Sequence, residues 1–255
     1  MATIRDVLDV RIGGRTLTSM GIGLASGGAT VGATTPVTSE QTPPGRDGTL
    51  DLTLVDARSA AYTGRRTIEI NVYAAGTETD VIMAKTTVAA LHGTVTTITW
   101  RGLPGSWHGR VAVGEWSDVI ASGRLAASTA TISMSAMPCL YAPTRAVTLH
   151  AGANSIHVRG NRPAWPTFTL TPTNETKSVR VEDGHGHEIE LVATGQTLTG
   201  SITISTDPDN RECRINGNLK APTLESDYFP LLPGMQTLTL ANCSGSLEYE
   251  PLTLI

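Results

Sequence analysis

Apolar and polar residues alternate over much of this chain, and the stretches in which they do so predict strands. In "TLDLTLVD" (49–56) Leu50, Leu52 and Leu54 share one face, and in "RRTIEINVYA" Ile68, Ile70 and Val72 do the same. This is the period-two pattern of a half-buried strand. "TIRDVLDVRIGGRTLT" reads as two strands around a Gly13-Gly14 turn, with Val7, Leu8 and Val10 available for burial. "TVTTITW", "GRVAVGEW", "DVIASGRL" and "ATISMSAM" continue the series. Between Asp80 and Gly93 the period changes: Ala84, Val88 and Leu91 recur at helical spacing, with Asp80 placed to cap the start and Gly93 the end. One helix is predicted there.

Two stretches break the alternation. Residues 20–48, "MGIGLASGGATVGATTPVTSEQTPPGRDG", are Gly, Ala, Ser, Thr and Pro with few large side chains. A loop of that length is uncommon inside a compact domain. Residues 138–146, "PCLYAPTRA", carry two prolines and divide the chain into 1–146 and 147–255. Beyond them, nine short alternating runs separated by turn residues predict an all-β sandwich. In "FPLLPGMQTLTL" (229–240) a burst of large apolar residues is stopped by Pro233-Gly234 and followed by a strand.

Composition agrees with a mainly β chain: aromatics are 4% and charged residues 16% of 255, with Thr, Gly and Ala abundant. The net charge of −4 is unevenly placed. Residues 1–146 hold 12 basic against 11 acidic side chains, and 147–255 hold 7 against 12. An acidic second half argues against sequence-specific nucleic-acid contact, which needs a basic patch. Cys139, Cys213 and Cys243 are odd in number and far apart, with no zinc spacing, and are expected to be free thiols. No secretory or membrane-spanning segment is expected.

Three stretches suggest chemistry and fail on context. "GIGLASG" offers the glycines of a dinucleotide loop, but Gly- and Thr-rich sequence ending at Pro36 follows where a helix is required. "VEDGHGHEIEL" gathers acids with His185 and His187, yet Asp183-Gly184 is a hairpin signal, so a turn with solvated charges is expected. In "GSWHGR", Ser106 and His108 share a face without a third group to orient the histidine; Trp107 is expected to be buried, His108 exposed and Arg110 in contact with a neighbour. No enzyme and no cofactor emerge.

The order of motifs in the second half, "VRGNRPAWPTFTLTP", "VEDGHGHEIEL", "GSITISTDPDNRECRINGN", "SDYFPLLPGMQTLTL" and "LEYEPLTLI", resembles the C-terminal domain of siphophage distal tail proteins. The first half resembles its usual companion through "GTLDLTLVD", "GRRTIEINVY", the single helix and "TITWRGLPGSWHGRV". The resemblance implies a virion structural protein of the tail tip, assembled in the host bacterial cytoplasm. Its N-terminal domain, related in fold to the tail tube subunit, forms a ring, commonly a hexamer, that joins the tube to the tip or baseplate hub. Its C-terminal domain is a galectin-like sandwich that serves as an outer attachment platform. Implied partners are further copies of itself, the tail tube protein, the tail-associated hub protein, the tape-measure protein and a receptor-binding protein. Phage DNA passes through the lumen, and neither a cofactor nor membrane insertion is implied.

The resemblance also assigns "DYFPLLPG" as a plug. Tyr228, Phe229, Leu231 and Leu232 close the sandwich, Pro233-Gly234 sets the turn, and 235–240 pairs with 246–254. The 20–48 stretch is expected to be disordered on a lone chain and to act in a ring as an extended arm, through Gly21, Gly23, Gly27, Gly28, Pro36 and Arg46, that adds main-chain hydrogen bonds to a neighbour's sheet edge. An alternative function is a carbohydrate-binding adhesin that stacks sugar on Trp165 or Trp107.

Overall fold

The computed structural model describes residues 6–255 except 46, 57, 174, 194 and 196. Thr3, Ile4 and Arg5 of the expected first strand, and Arg46 of the expected arm, lie outside the described residues. Contacts divide the chain into Met1–Leu140 and Tyr141–Ile255. That division falls within the 138–146 segment, a few residues ahead of 146.

The first unit contains β1 (Arg11–Ile12), β2 (Arg15–Thr16), β3 (Gly23–Val31), β4 (Glu40–Gln41), β5 (Leu50–Asp51), β6 (Arg66–Ala75), α1 (Glu78–Ala89), β7 (Val95–Thr99), β8 (Trp107–Val113), β9 (Ser117–Ala121) and β10 (Arg124–Ala136); β11 (Leu140–Tyr141) straddles the division. The main sheet runs β2-β1-β7-β8-β10-β6-β3, and β9 also pairs with β10. Its centre follows from alternation: β6 turns Ile68, Ile70, Val72 and Ala74 inward, and its register sets Ile70 opposite Ile132 and Ile68 opposite Met134 of β10. Trp107, Val111, Ile98 and Ile12 extend that core across β8, β7 and β1.

The helix packs on the core through Val81, Ala84 and Val88. It begins earlier than expected, because Thr77 is the cap and Asp80 the third residue of a capping box. The Asp80 carboxylate accepts from Thr77 N at 2.9 Å and Thr77 Oγ1 at 2.7 Å, bonds that hold its pKa below the ordinary range. Leu91 lies past the helix end and is half-buried.

Part of the 20–48 stretch is a strand of this unit's own sheet, correcting the expectation of disorder. Gly23 and Leu24 pair with Tyr73 and Val72, and Ala29 to Val31 pair with Ile70 to Ile68, around a bulge that holds Gly27 and Gly28 at φ 96° and 60°. The strand has too few large residues to show a pattern and is held instead by a well-patterned neighbour.

The second unit contains β12 (Arg145–Leu149), β13 (Gly152–Val158), β14 (Thr167–Pro172), β15 (Ser178–Asp183), β16 (Glu188–Val192), β17 (Ile202–Ser205), β18 (Glu212–Ile215), β19 (Asn218–Leu219), β20 (Gly234–Ala241), β21 (Cys243–Tyr249) and β22 (Leu252–Thr253). Two sheets, β12-β21-β14-β17-β18-β19 and β13-β20-β15-β16, enclose one core that includes Phe168, Leu170, Val181, Ile189, Leu240 and Leu247. The predicted pairing of 235–240 with 246–254 does not occur. β20 pairs with β13 and β15, while β21 pairs with β12 and β14 in the other sheet. A single residue, Asn242 at φ 61°, connects them, so the chain turns a corner between sheets there instead of reversing within one.

Candidate interaction surface

The candidate surface grows out of the β3–β6 ladder. Past Val31 opposite Ile68 the two chains stay paired: Gly32 N donates to Thr67 O, Gly64 N to Thr35 O, and Val37 N to Tyr62 O, with Pro36 opposite Thr63. The register is unchanged along this run. Further out, Leu52 N donates to Ser39 O, and β4 pairs with β5 so that Glu40 lies opposite Asp51 and Gln41 opposite Leu50. The described residues of 35–41 and 50–63 thus form one two-stranded ribbon, with a side loop in the returning strand where Val55 bridges Ala61. Of the residues expected to form the arm, Pro36 lies in this ribbon, Gly23, Gly27 and Gly28 lie in β3, and Gly21 sits in the turn before it.

Alternation fixes what each face of the ribbon carries. Directly opposed residues share a face, as do every second residue along a strand. Tyr62, Gly64, Arg66, Ile68 and Ile70 therefore continue one face, and Val37 lies on it opposite Tyr62. On the outer part, Leu50, Leu52 and Leu54 continue it beside Gln41, Ser39 and Val37. This is the core-facing side of the main sheet, prolonged beyond the body. The three leucines predicted for a core are instead 39%, 45% and 77% exposed, and Val37 and Tyr62 are more than half exposed. Glu40 and Asp51 occupy the opposite face.

A second apolar area of the same unit is carried by α1 and β9. Ile82, Met83 and Ile120 are each at least half exposed, as is Val119 on the opposite face of β9. Lys85, one turn along the helix from Ile82, bonds Asp118 of β9 at 2.5 Å and lies 5.6 Å from the Trp116 ring centroid. Ser128 Oγ donates to the same carboxylate, and these bonds hold the Asp118 pKa low. Sequence reasoning missed these residues as a surface, because alternation shows which side chains share a face and not whether anything covers it.

In the second unit the plug residues divide. Phe229 and Leu231 are 1% exposed, and Phe229 meets Phe168 edge-on at 6.3 Å. Tyr228 packs half-buried against the core, while Leu232 is half-buried at its edge. Gly234, at φ 100°, opens β20. The Asp183 turn is a hairpin tip as expected, but Asp183 is buried rather than solvated: it accepts from the main-chain N of His185 and His187 and lies 2.7 Å from His187 Nδ1. Among the described residues no cluster of metal-ligating side chains occurs.

Of the two tryptophans offered as a sugar platform, Trp165 is half-buried. Trp107 is fully buried, and the Arg211 guanidinium lies 5.8 Å from the Trp165 ring centroid and 6.0 Å from that of Tyr228. His108, expected to be exposed, is half-buried, with Ser106 Oγ 3.4 Å from its Nε2; the Arg110 guanidinium donates to Gly93 O. The glycines of "GIGLASG" lead into a strand, not the helix a dinucleotide loop requires. All three cysteines are buried and none forms a disulfide. No described helix is long and apolar enough to cross a membrane.

The family model "Siphovirus-type tail component, C-terminal domain" matches residues 159–252. The matched residues all lie in the second unit. With this match, the resemblance to siphophage distal tail proteins is borne out. No curated protein sequence matches the chain. Among solved structures, the crystal structure of SPP1 Dit (gp 19.1), described as a paradigm of the hub adsorption apparatus in Gram-positive infecting phages, is similar over 97% of this chain and 100% of its own, with a TM-score of 0.69 at 18% identity. The distal-tail fold therefore extends over both units. Chains of the phage p2 baseplate in its activated conformation, solved with Sr and with Ca, align over 92% and 93% of this chain with TM-scores of 0.43 and 0.40 and identities of 11% and 10%.

Proposed function

We propose that this tail component forms a ring, of six copies, at the tail tip of a long-tailed phage. The ring joins the tail tube to the tip or baseplate hub. Its first unit closes the ring, and its second, read as galectin-like, faces outward as a platform for a receptor-binding protein. The tail tube protein, the tail-associated hub protein and the tape-measure protein are its neighbours, and assembly takes place in the host cytoplasm before the virion is complete. The observation that carries this reading is the tail-component domain at 159–252 in a chain whose whole length follows the SPP1 Dit fold. The ribbon at 35–63 supports it, since an isolated two-stranded hairpin is marginally stable in water and gains order from a surface that covers it.

Native mass measurement and negative-stain imaging of the purified protein test the proposal. A species near six times 26.8 kDa with a central opening is expected. A protein that stays monomeric and does not bind the tail tube protein overturns it.

A further inference from the structure

Main-chain pairing leaves one long strand edge of the second unit open. Gly184 N donates to Thr237 O, so the odd-numbered residues of β20 bond β15 and its even-numbered ones bond β13. In the β13–β20 register, Gly152, Asn154, Ile156 and Val158 therefore bond β20, while Ala153, Ser155 and His157 turn their N–H and C=O groups away from the sheet. Tyr249 Oη closes the end of that edge, accepting from Arg159 N at 3.2 Å and donating to His157 O at 3.3 Å. Among the described residues nothing bonds the N–H groups of Ala153, Ser155 and His157 or the C=O groups of Ala153 and Ser155, and all three residues are exposed. The other edge of the same sheet is covered: Thr223 N and Asp227 N donate to Glu190 O and Glu188 O of β16, and Glu190 N donates to Ser226 Oγ.

Edge strands are ordinarily blunted by a charge, a proline or a bulge. β13 has none of these over its seven residues and keeps one unbroken register. We infer that β13 receives an extended acidic segment of a separate tail protein as an added strand, held by main-chain hydrogen bonds to Ala153, Ser155 and His157. On the platform reading above that protein is the receptor-binding protein, and the inference rests on that reading for the supplier of the strand.

Charge selects an acidic occupant. Residues 141–172 hold three arginines and no acidic side chain, whereas 173–255 hold 5 basic against 12 acidic ones. Arg145, opposite Tyr249, and Arg159, bonded to the same Tyr249, both stand exposed at one end of the open edge. β20 beside β13 carries no charge, and Glu182 of β15 lies beyond it. Glu248 of β21 is in the other sheet, opposite Ala146 of β12. A second copy is the poorer occupant. With β16 covered, that sheet has no second open edge for head-to-tail pairing, so copies could join it only β13 to β13 about a two-fold axis.

The probe is a short peptide that alternates valine and threonine between terminal glutamates and carries a neutral dye. One control peptide is methylated on all its backbone nitrogens, and a second has lysine ends. Fluorescence anisotropy with the full chain should show saturable binding of the probe, none of the methylated peptide, and weaker binding of the lysine-ended one at low ionic strength. Amide NMR should find Ala153, Ser155 and His157 protected on binding. Ser155→Pro removes an outward N–H and sets its ring in the place of the added strand, while the bonds of Asn154 and Ile156 to β20 stay; proline is tolerated at such an edge position. It should weaken the probe by at least about tenfold, and Ser155→Ala, which keeps the main chain, by less than about twofold. The methylated peptide is tested on the parent protein, so the comparison holds even where Ser155→Pro lowers stability. No binding of the probe, equal binding of the methylated peptide, protection of Ala146 and Thr148 of β12 instead, or a parent dimer that Ser155→Pro dissolves, would each overturn the inference. The phage's receptor-binding protein should bind the parent and Ser155→Ala but not Ser155→Pro, and its retention by Ser155→Pro overturns the inference. If that protein ignores the parent while the probe binds, the platform reading fails and the assignment of the edge stands.

Discussion

Replacing Phe229 by alanine tests how the second unit is held together. Phe229 is 1% exposed, lies edge-on to Phe168 at 6.3 Å and is stacked by the His187 ring at 6.3 Å. Removing a buried phenyl ring costs about 3–5 kcal/mol, from lost transfer free energy and from the cavity left behind. The edge-on contact accounts for roughly 0.5–1.5 kcal/mol of that cost. Against a stability on the order of 5–15 kcal/mol for a domain, this is a large fraction. At about 4 °C or more per kcal/mol for a small domain, the thermal midpoint should fall by at least about 10 °C.

Far-UV circular dichroism should follow both units. Tryptophan fluorescence should weigh the first unit, which holds Trp100, Trp107 and Trp116 against Trp165 in the second. The expected result is a downward shift of one transition in dichroism, with the fluorescence-weighted transition unmoved. Leu224→Ala, at a fully exposed position, should change neither by more than about 0.5 kcal/mol. A loss below about 1 kcal/mol for Phe229→Ala would show that the side chain does not plug a core, and an equal shift of both transitions would show that the two units do not unfold separately.

Gly109→Ala should destabilise the first unit by about 1–3 kcal/mol, read from denaturant midpoints, because an added Cβ would stand 2.7 Å from Ala136 Cα across the β8–β10 ladder. Thr77→Ala removes the helix cap and should cost about 0.5–2 kcal/mol in the same measurement; it should also raise the Asp80 pKa toward the ordinary value, visible in carboxyl NMR titration. Burial pushes the Cys243 thiol from 9.0 up to about 11, so folding favours its neutral form. The stability gained this way is complete below about pH 9 and is lost as pH rises toward 11, and Cys243→Ala should lose less stability over that interval than the parent.

The elements legible in the sequence were those with their own pattern. Ile68, Ile70 and Val72 gave away β6, helical spacing with Asp80 gave away α1, and most of the short alternating runs after 146 found strands. Three failures share a cause. Gly23–Val31 has too few large side chains to reveal a strand, because its pairing is dictated by β6. Leu50, Leu52 and Leu54 share a face as predicted, but local alternation carries no information about how far the body extends beneath them. The last two long strands looked like a hairpin because they are adjacent in sequence, while Asn242 in the left-handed region sends the second into the opposite sheet. The apolar burst at Phe229 and Leu231 was legible as a segment that docks, and both side chains are buried. Val37, Tyr62, Ile82, Met83, Val119 and Ile120 were not, since solvent exposure depends on the whole fold.

The ribbon also has a mechanical consequence. Its outgoing strand is continuous with β3 and its returning strand with β6, both inside the main sheet. Tension along the ribbon therefore runs parallel to the strands and loads many cross-strand hydrogen bonds together in shear, rather than peeling them one at a time. A pull on the tip is shared by the β3–β6 and β6–β10 ladders before any single bond carries it. A structure anchored in this way behaves as a cantilever clamped deep in its wall, stiff under axial load and compliant mainly to bending near Gly32 and Gly64, where the paired strands leave the body.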